Sequence, residues 1–384
     1  MTSDLATKKI ALVHDYLLGI GGAERVLKVL HEMFPHAPIY AVVYDKKFVK
    51  RFFVDCHNGP CPDLVRGSFL QKLPLFLRKR YKYFSFLIPS AVECLDLSGF
   101  DIVISSCSAF SKGVITRPDA VHICYCHTPT RYLWDWAHPY FALLNGKAQG
   151  FLAKILIHFL RLWDREAARR VDYFIANSKH VAARIKKYYG RDAQVIYPPV
   201  DKLPITNYKL PMANDFYLIV SQLRPYKQID IAIEAFKKLG FPLVVIGEGS
   251  DRKRLLKLAR GAKNIKFLGW LDDGAVNEYY KNCRAFIYPC EEDFGIAMVE
   301  AMLFGKPVLA LREGGAKEIV IPGITGEFFD DAHPVVLADG LRRLNQNYTN
   351  YSPILIQKRA GKFSRERFYG EVFEFVEKCC KIQL

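Results

Sequence analysis

Long apolar runs are absent from this sequence of 384 residues, and so is any pair of closely spaced aspartates of the form Asp-x-Asp. The longest apolar candidate, FLAKILIHFLRLW (151–163), is interrupted by Lys154, His158 and Arg161. A bilayer-spanning helix needs about 20 predominantly apolar residues, so this segment predicts no transmembrane span.

A disulfide framework and a zinc site are also not indicated. The ten cysteines include no CxxC pair, and a chain of this length does not need disulfides to be stable. No Cys/His/carboxylate set has zinc-site spacing, so we expect reduced thiols and no structural metal. The N-terminal apolar stretch is broken at His14 and Asp15, which is unlike a signal peptide and favours a cytoplasmic location.

The composition is that of a folded, strongly basic protein. Hydrophobic residues make up 51% and charged residues 24%, which excludes a disordered chain. The formal net charge of +16 predicts an anionic partner: nucleic acid, an acidic membrane face or a phosphorylated substrate. Charge alone does not choose among them, although no nucleic-acid recognition motif accompanies it.

Short apolar runs alternate with helix-like segments along the whole chain, which predicts parallel sheets covered on both faces. The runs cover residues 8–16, 38–44, 101–106, 121–126 and 172–178 in the first half, and 216–223, 242–249, 264–270, 284–290 and 306–311 in the second. The fold class is therefore α/β, with two doubly wound parallel-sheet domains. In such folds ligands bind at the carboxyl ends of the strands, so we expect a shared cleft.

A proline-rich segment without periodicity, residues 195–215, suits a linker between the domains. We place an acceptor-binding Rossmann-like domain at 1–200 and a nucleotide-sugar-binding Rossmann-like domain at 201–363. The amphipathic segment 364–384 predicts a terminal helix that packs across the hinge.

The segment YPCEEDFGIAMVEAMLFGKPVLA (288–310) leaves a strand, turns through acidic residues, and enters a helix. The turn places the backbone N–H groups of Phe294, Gly295 and Ile296 at a helix N-terminus, which suits anionic or hydroxyl-bearing ligands. Glu292 and Glu300 accept strong hydrogen bonds from sugar hydroxyls. Taken alone, the pattern is better explained by Glu292 as a partner of the helix dipole and Glu300 as a solvated residue.

Nearly the whole chain resembles glycosyltransferase family 4, retaining enzymes with the two-domain GT-B fold, and especially bacterial O-antigen and polysaccharide mannosyltransferases. The eight-residue spacing of Glu292 and Glu300 matches the E-x7-E element of that family. The resemblance implies that Glu292, assisted by the backbone at 294–296, holds hydroxyls of the transferred sugar, and that Glu300 holds the nucleotide ribose.

The segment SQLRPYKQIDIAIEAF (221–236) resembles the phosphate-binding stretch of the family, in which an arginine and a lysine clasp the donor diphosphate. Lys227 matches the lysine, but Gln222 occupies the usual arginine position and Arg224 follows two residues later. Either Arg224 reaches the diphosphate from a shifted position or part of the clamp is missing. Arg224 as an ordinary surface charge on a turn is the alternative.

Two further segments complete the resemblance. The GGAE stretch with Gly21 and Gly22 follows the first strand and, in the family, contacts the diphosphate or the acceptor; we place Asp15, at the end of that strand, on the acceptor side. The stretch 124–140 resembles the HTP-x-RY-x-W segment of polysaccharide enzymes, which places His127 beside the donor sugar. The residues assigned to the acceptor side of this stretch are Arg131, Tyr132 and Trp134. A buried structural histidine is the competing interpretation of His127.

The resemblance implies transfer of a hexose, mannose preferred, from a GDP- or UDP-sugar to a lipid-linked oligosaccharide in cell-surface polysaccharide synthesis. His127, Glu292, Lys227 and Arg224 form the candidate catalytic set. Because metal-dependent sugar transferases of the other major fold use Asp-x-Asp to hold an ion, we expect no metal and no cofactor. An inactive nucleotide-binding or membrane scaffold of the same fold is the alternative, and Gln222 is its best support.

A basic, aromatic segment at 69–89 carries five cations among Phe, Leu and Tyr: Lys72, Arg78, Lys79, Arg80 and Lys82. Such a segment suits the surface of an anionic membrane, as a lipid-linked acceptor would require. A solvated helix face with core leucines is equally compatible. We expect peripheral contact with the inner face of the cell membrane and no nucleic-acid partner.

Overall fold

The structure is a computed structural model that describes residues 5, 7–53, 64–78, 85–138, 147–200 and 215–382. The chain divides into two compact units. The first comprises Met1–Tyr197 together with Tyr369–Leu384, and the second comprises Pro198–Phe368.

The first unit contains a seven-stranded parallel sheet with the order β3-β2-β1-β4-β5-β6-β7. The strands are β1 (Ile10–Leu17), β2 (Ile39–Tyr44), β3 (Val65–Gly67), β4 (Ile102–Cys107), β5 (Val121–Cys126), β6 (Tyr173–Ala176) and β7 (Ala193–Val195). Every residue of β4 and β5 is buried, as expected for central strands covered on both faces. The apolar runs at 101–106 and 121–126 are therefore explained by burial rather than by amphipathic alternation.

The helices of this unit connect successive strands. They are α1 (Gly22–Met33), α2 (Lys46–Phe52), α3 (Leu75–Arg78), α4 (Ile88–Glu93), α5 (Lys147–Arg169) and α6 (Lys179–Tyr189). A core on one side of the sheet joins α4 and α5 through Val92, Ile157 and Leu160, which pack with Val103 and Phe110. Parallel strands require such crossover connections, so the alternation seen in the sequence has a direct structural cause.

The second unit contains a six-stranded parallel sheet with the order β10-β9-β8-β11-β12-β13. The strands are β8 (Tyr217–Val220), β9 (Leu243–Ile246), β10 (Ile265–Gly269), β11 (Ala285–Tyr288), β12 (Val308–Leu311) and β13 (Gly326–Phe329). The helices are α7 (Ile229–Leu239), α8 (Arg252–Leu258), α9 (Asp273–Asn282), α10 (Ile296–Leu303), α11 (Ala316–Ile319), α12 (Pro334–Gln346) and α13 (Pro353–Ala360). This strand order is the doubly wound order of dinucleotide-binding folds, with its reversal between β8 and β11.

The last helix, α14 (Arg365–Ile382), returns the chain to the first unit from Tyr369 onward. The ring of Phe373 lies 5.4 Å from that of Phe34, and the ring of Phe375 lies 6.3 Å from that of Tyr173. The Tyr369 hydroxyl donates to Glu32 at 3.3 Å. Aromatic contacts therefore hold the end of the chain on α1 and β6.

The predicted α/β class with two doubly wound parallel sheets is confirmed. The sequence did not predict three strands, β3, β7 and β13, which are the short outer strands of the two sheets. Each of these segments has only three or four residues, and a polar side chain, Arg66, Gln194 or Glu327, interrupts its apolar run, so the segments VRG, AQV and GEFF carry little signal. Most of the predicted linker, residues 201–214, lies outside the described residues.

Candidate functional site

The candidate site of the second unit lies at the carboxyl ends of β8 and β11, where the strand order reverses. Two loops leave the sheet here: the loop after β8 carries Lys227, and the loop after β11 carries Glu292. Neighbouring parallel strands that feed helices on opposite faces leave a crevice at this point. Topology therefore brings together two segments that are 65 residues apart in the sequence.

Lys227 and Glu292 form an ion pair across this crevice. Their side chains are 13% and 22% exposed, so the pair is half-buried and reachable from solvent. Burial acts to lower the pKa of Lys227, but the Glu292 carboxylate outweighs it and the pKa is raised. Lys227 is therefore a permanent cation at neutral pH, as a phosphate ligand must be.

The N-terminus of α10 begins directly after the Glu292 loop. Gly295 caps this helix with φ +100°, a conformation that L side chains rarely adopt, and a Cβ there would lie 2.3 Å from Met298 Cε. The Phe294 ring is buried and packs 5.4 Å from the ring of Phe363. The side chain of Phe294 thus anchors the loop, and Ile296 is the first residue of the helix. The first backbone N–H groups of a helix have no partner within it, so this turn suits an anion or a hydroxyl oxygen.

A glycine pair that the sequence analysis missed supports this loop from behind. The Gly315 N–H donates to the Glu292 carbonyl at 2.8 Å. A Cβ on Gly314 would lie 2.1 Å from the Glu292 carbonyl oxygen, and one on Gly315 would lie 2.5 Å from Phe294 Cα. Only glycine allows so close an approach without displacing the backbone. The available signal was the Gly-Gly pair that follows the apolar run at 306–311 after two charged residues.

Glu300 lies on α10 and is half-buried. Its Oε2 accepts a hydrogen bond from the Tyr280 hydroxyl at 2.9 Å, and the Tyr280 ring stacks on Phe304 at 6.0 Å. The carboxylate is thereby held in one orientation. A carboxylate has further lone pairs, so this contact leaves acceptor capacity for a ligand hydroxyl.

Arg224 and Gln222 lie on the loop after β8. The Arg224 Nη1 donates to Ser250 Oγ at 3.3 Å, and Gln222 is exposed. The turn that holds Ser250 packs tightly on this loop, since a Cβ on Gly249 would lie 2.1 Å from the Leu223 carbonyl oxygen. The structure therefore places Arg224 at the same end of the sheet as Lys227, directed toward the turn after β9.

The first unit has a corresponding polar network at the carboxyl ends of β1 and β4. His14 Nδ1 lies 3.0 Å from the Ser106 carbonyl oxygen, and its Nε2 lies 3.7 Å from Glu24 Oε1. Ser106 Oγ lies 2.8 Å from His127 Nε2. Gly21 and Gly22 begin α1 beside this network, Gly21 as the cap in extended conformation.

The pKa values of the two imidazoles of the network are shifted in opposite directions. Burial, followed by the nearby His14 charge, lowers the pKa of His127 to about 3, so this ring is neutral. Burial also acts to lower the pKa of His14, but the hydrogen bond and charge of Glu24 raise it above its ordinary value. Because a carbonyl oxygen only accepts, His14 Nδ1–H donates to the Ser106 carbonyl, and the Ser106 hydroxyl shares a hydrogen bond with His127 Nε2 whose direction depends on the tautomer of His127.

Asp15 is occupied within the protein. Its buried carboxylate accepts four backbone hydrogen bonds, from the N–H groups of residues 108–111, at 2.6 to 2.9 Å. Four acceptor sites are about the full capacity of a carboxylate. Asp15 thus fixes the turn after β4, next to Ser106. Little hydrogen-bonding capacity is left on its carboxylate for the acceptor contact expected from the sequence.

The aromatic loop after β5 is tied to a buried ion pair between Lys112 and Asp164, which are 1% and 0% exposed. Asp164 accepts from Trp134 Nε1 at 2.8 Å and from the Thr130 hydroxyl at 2.9 Å. The Trp134 ring also stacks on Tyr188 at 4.9 Å. Trp134 is therefore a framework residue, held by a buried charge. Asp164 was overlooked in the sequence although it is an acid on the apolar face of a helix.

The other two residues expected on the acceptor side, Arg131 and Tyr132, are both half-buried. Tyr132 packs on the core of the first unit, with its ring 6.3 Å from Phe110. Arg131 begins a short 3-10 turn and is half-buried. Arg184, which the sequence analysis did not identify, holds the loop from α6 by donating to Thr128 Oγ1 and Asp135 Oδ1, each at 2.7 Å.

Two family models match the chain, "Glycosyltransferase Family 4" over residues 20–202 and "Glycosyl transferases group 1" over residues 206–363. The chain belongs to the glycosyltransferases. The two matches meet next to the division between the two units, so each unit corresponds to one glycosyltransferase model. The resemblance inferred from the E-x7-E element and the HTP segment is confirmed.

Curated relatives of this glycosyltransferase have related descriptions. An uncharacterized glycosyltransferase of Methanocaldococcus jannaschii is 30% identical over 57% of this chain and 60% of its own length. The O-antigen chain mannosyltransferase C of Escherichia coli is 26% identical over 52% of this chain and 56% of its own length. The alpha-1,3/1,6-mannosyltransferase alg2 of Schizosaccharomyces pombe is 26% identical over 83% of this chain and 70% of its own length. The first two matches thus span little more than half of the relatives.

Among solved structures, Anabaena Alr3699/HepE in complex with UDP and glucose superposes on this glycosyltransferase with a TM-score of 0.71. The identity is 20%, and the match covers 96% of this chain and 99% of that chain. The likeness confirms the expected GT-B fold.

Two further expectations concern metal and membrane. Within the described residues no group of three or more His, Cys, Asp or Glu side chains is placed to hold a metal ion. In the same part of the chain no helix is long and apolar enough to cross a bilayer. Of the basic segment at 69–89, Lys79, Arg80 and Lys82 lie outside the described residues, whereas Lys72 and Arg78 end short helical turns.

Proposed function

We propose that this glycosyltransferase moves a hexose, with mannose preferred, from a GDP- or UDP-sugar to a lipid-linked oligosaccharide during synthesis of a cell-surface polysaccharide such as lipopolysaccharide. The observation that carries the proposal is the meeting of Lys227 and Glu292 at the strand reversal, directly before the N-terminus of α10. The mannosyltransferase relatives favour mannose, and the solved complex with UDP and glucose supports a nucleotide-sugar donor.

In this proposal the second unit binds the donor. Lys227 and Arg224 contact the diphosphate, and the backbone N–H groups at 294–296 complete its surroundings. Glu292 accepts hydrogen bonds from sugar hydroxyls, and Glu300, oriented by Tyr280, accepts from the ribose. The half-buried cation near the diphosphate stabilises the negative charge that develops as the sugar bond breaks.

The first unit binds the acceptor. Neutral His127 contacts a sugar hydroxyl through its imidazole ring, while Arg131 is the half-buried cation of the adjacent loop. The acceptor hydroxyl attacks the anomeric carbon on the face that the diphosphate leaves, which retains the configuration, and the departing phosphate takes the hydroxyl proton. No metal or other cofactor takes part. The proposed location is the cytoplasm, at the inner face of the cell membrane.

A thermal-shift comparison of GDP-, UDP- and ADP-sugars tests donor binding, because only a ligand of the folded state raises the unfolding midpoint. We expect a GDP- or UDP-sugar to raise it. Glu300→Gln and Lys227→Met should each weaken that sugar about 10- to 100-fold, the cost of a hydrogen bond to a charged group. Lys317→Met is the matched control, since Lys317 is an exposed lysine paired with Glu313 one helical turn away.

Donor affinity in Lys227→Met equal to that of the unaltered protein would contradict the assigned site. The alternative function, an inactive scaffold, is favoured only by Gln222 in the arginine position. Sugar binding without any sugar transfer or donor hydrolysis would support that alternative.

A further inference from the structure

Helix α5 (Lys147–Arg169) presents an apolar surface to solvent that none of the proposed chemistry uses. The residues on its inner face, Ile157, Leu160, Asp164 and Ala167, are buried. Asp164 also forms the buried ion pair with Lys112. The helix is thus firmly attached to the first unit along one side. Its outer side is exposed to solvent.

Four large apolar side chains lie on that outer side, and we refer to them as the apolar stripe. They are Phe151, Ile155, Phe159 and Leu162, with exposed fractions of 65%, 41%, 63% and 53%. Successive residues of a helix are rotated by about 100°, so these four fall within an arc of about 80°. Isolated apolar residues on a surface are ordinary, but a continuous stripe of this kind marks a contact surface.

Three exposed side chains that are basic or titratable border the stripe on one side, and we refer to them as the basic row. Lys154, His158 and Arg165 lie within an arc of about 40° next to the stripe. Between Phe151 and Arg165 the only acidic residue is the buried Asp164. The first exposed acid, Glu166, is neutralised by Arg169 at 3.0 Å. The outer face of α5 is therefore apolar and cationic.

We propose that this face of α5 lies on the surface of an anionic lipid bilayer, with the apolar stripe among the acyl chains and the basic row against lipid phosphates. A helix whose outward face combines apolar and cationic side chains lies parallel to a membrane surface. Each Lys or Arg near an anionic leaflet adds attraction. This surface differs from the segment 69–89 considered in the sequence, and it does not depend on sugar transfer.

A second copy of the chain fits this face less well. Two copies meeting through the apolar stripe would bring two basic rows together, in a protein that already carries a net charge of +16. Like charges at a contact are repulsive unless acidic groups intervene, and the stripe offers none before Glu166. Anionic lipid supplies the complementary charge.

Co-sedimentation of the full-length protein with vesicles tests the proposal. One set of vesicles is phosphatidylcholine alone, and the other is an equal mixture of phosphatidylcholine and phosphatidylglycerol. We expect binding to the mixed vesicles to exceed binding to phosphatidylcholine at least tenfold. F151S/F159S should reduce it at least tenfold, and K154A/R165A should reduce it about fivefold for each cation removed.

The matched control is I354S/L355S on α13, where the two apolar side chains are 75% and 51% exposed in the second unit. These changes should leave vesicle binding unaltered. The thermal shift by the donor sugar should be the same in all variants, which shows that they fold and separates this test from that of the donor site. Equal binding to both kinds of vesicle, or no loss in F151S/F159S, would overturn the proposal. So would a dimer in the absence of vesicles that F151S/F159S converts to a monomer.

Discussion

Two buried imidazoles, His122 and His127, are neutral in the folded protein at pH values well above 3. Burial, and then the Arg170 charge, lowers the pKa of His122 to about 3, and the pKa of His127 is lowered similarly. In an unfolded chain the pKa of histidine is about 6.5. Between these values the unfolded chain binds more protons than the folded one, so falling pH favours unfolding.

The unfolding free energy should therefore decrease as the pH is lowered from 6.5 toward 4, by about 1.4 kcal/mol per pH unit for each of the two histidines. His122→Gln should remove one such contribution from the slope. The control is His36→Gln, because His36 is exposed. Urea titrations at several pH values measure the slope, and an equal slope in both variants would contradict the assignment. His14, whose pKa is raised, stabilises below 6.5 and loses that effect as the pH rises through its folded value, outside this window.

At the scale of elements, the loop before α10 depends on the turn after β12. Gly315 has an ordinary helical conformation, φ −66° and ψ −17°, so alanine is allowed there by its backbone. The restriction is contact: its Cβ would lie 2.5 Å from Phe294 Cα and from the Phe294 carbonyl oxygen. An added methyl group must displace the loop that carries Glu292.

Gly315→Ala should lower the unfolding free energy by about 1–3 kcal/mol, the usual cost of overpacking, and should weaken donor binding. Gly361→Ala is a close control, since Gly361 has φ −58° and ψ −21° and nothing within 4 Å of its would-be Cβ. That change should be neutral or stabilise by about 0.4–1 kcal/mol. Chemical denaturation and the donor thermal shift measure both effects. Equal behaviour of the two variants would show that the close approach has no functional role.

At the scale of the whole molecule, two doubly wound units each place polar residues where the strand order reverses. In the second unit the positive charge at this position comes from Lys227 and from the N-terminus of α10. In our proposal, both stabilise the negative charge of the leaving diphosphate, and no metal ion is required.

Sugar transfer should therefore continue in the presence of EDTA at a rate within about twofold of the untreated enzyme, which is less than about 0.4 kcal/mol in activation free energy. Donor consumption and product formation, each followed with EDTA and with added magnesium, measure this. Activity that is lost with EDTA and restored by magnesium would contradict the role assigned to Lys227.

The sequence by itself determined the alternation of strands and helices, the positions of Lys227 and Glu292 on loops that follow strands, and the position of Glu300 on the next helix, because apolar runs and turn residues are local signals. It also supported family membership through short motifs. The outer strands β3, β7 and β13 were not predicted because their short segments, each interrupted by a polar residue, need a neighbouring strand to define them.

Only the tertiary structure decided what each polar residue contacts, because the partners lie far apart in the sequence. Asp15 seemed available for a ligand, but N–H groups more than 90 residues away occupy its carboxylate. The assignment of Trp134 to the acceptor side stays a prediction, and the structure adds that its ring nitrogen donates to the buried Asp164. Lys227 and Glu292, by contrast, were expected near one ligand, and chain folding brings them into direct contact.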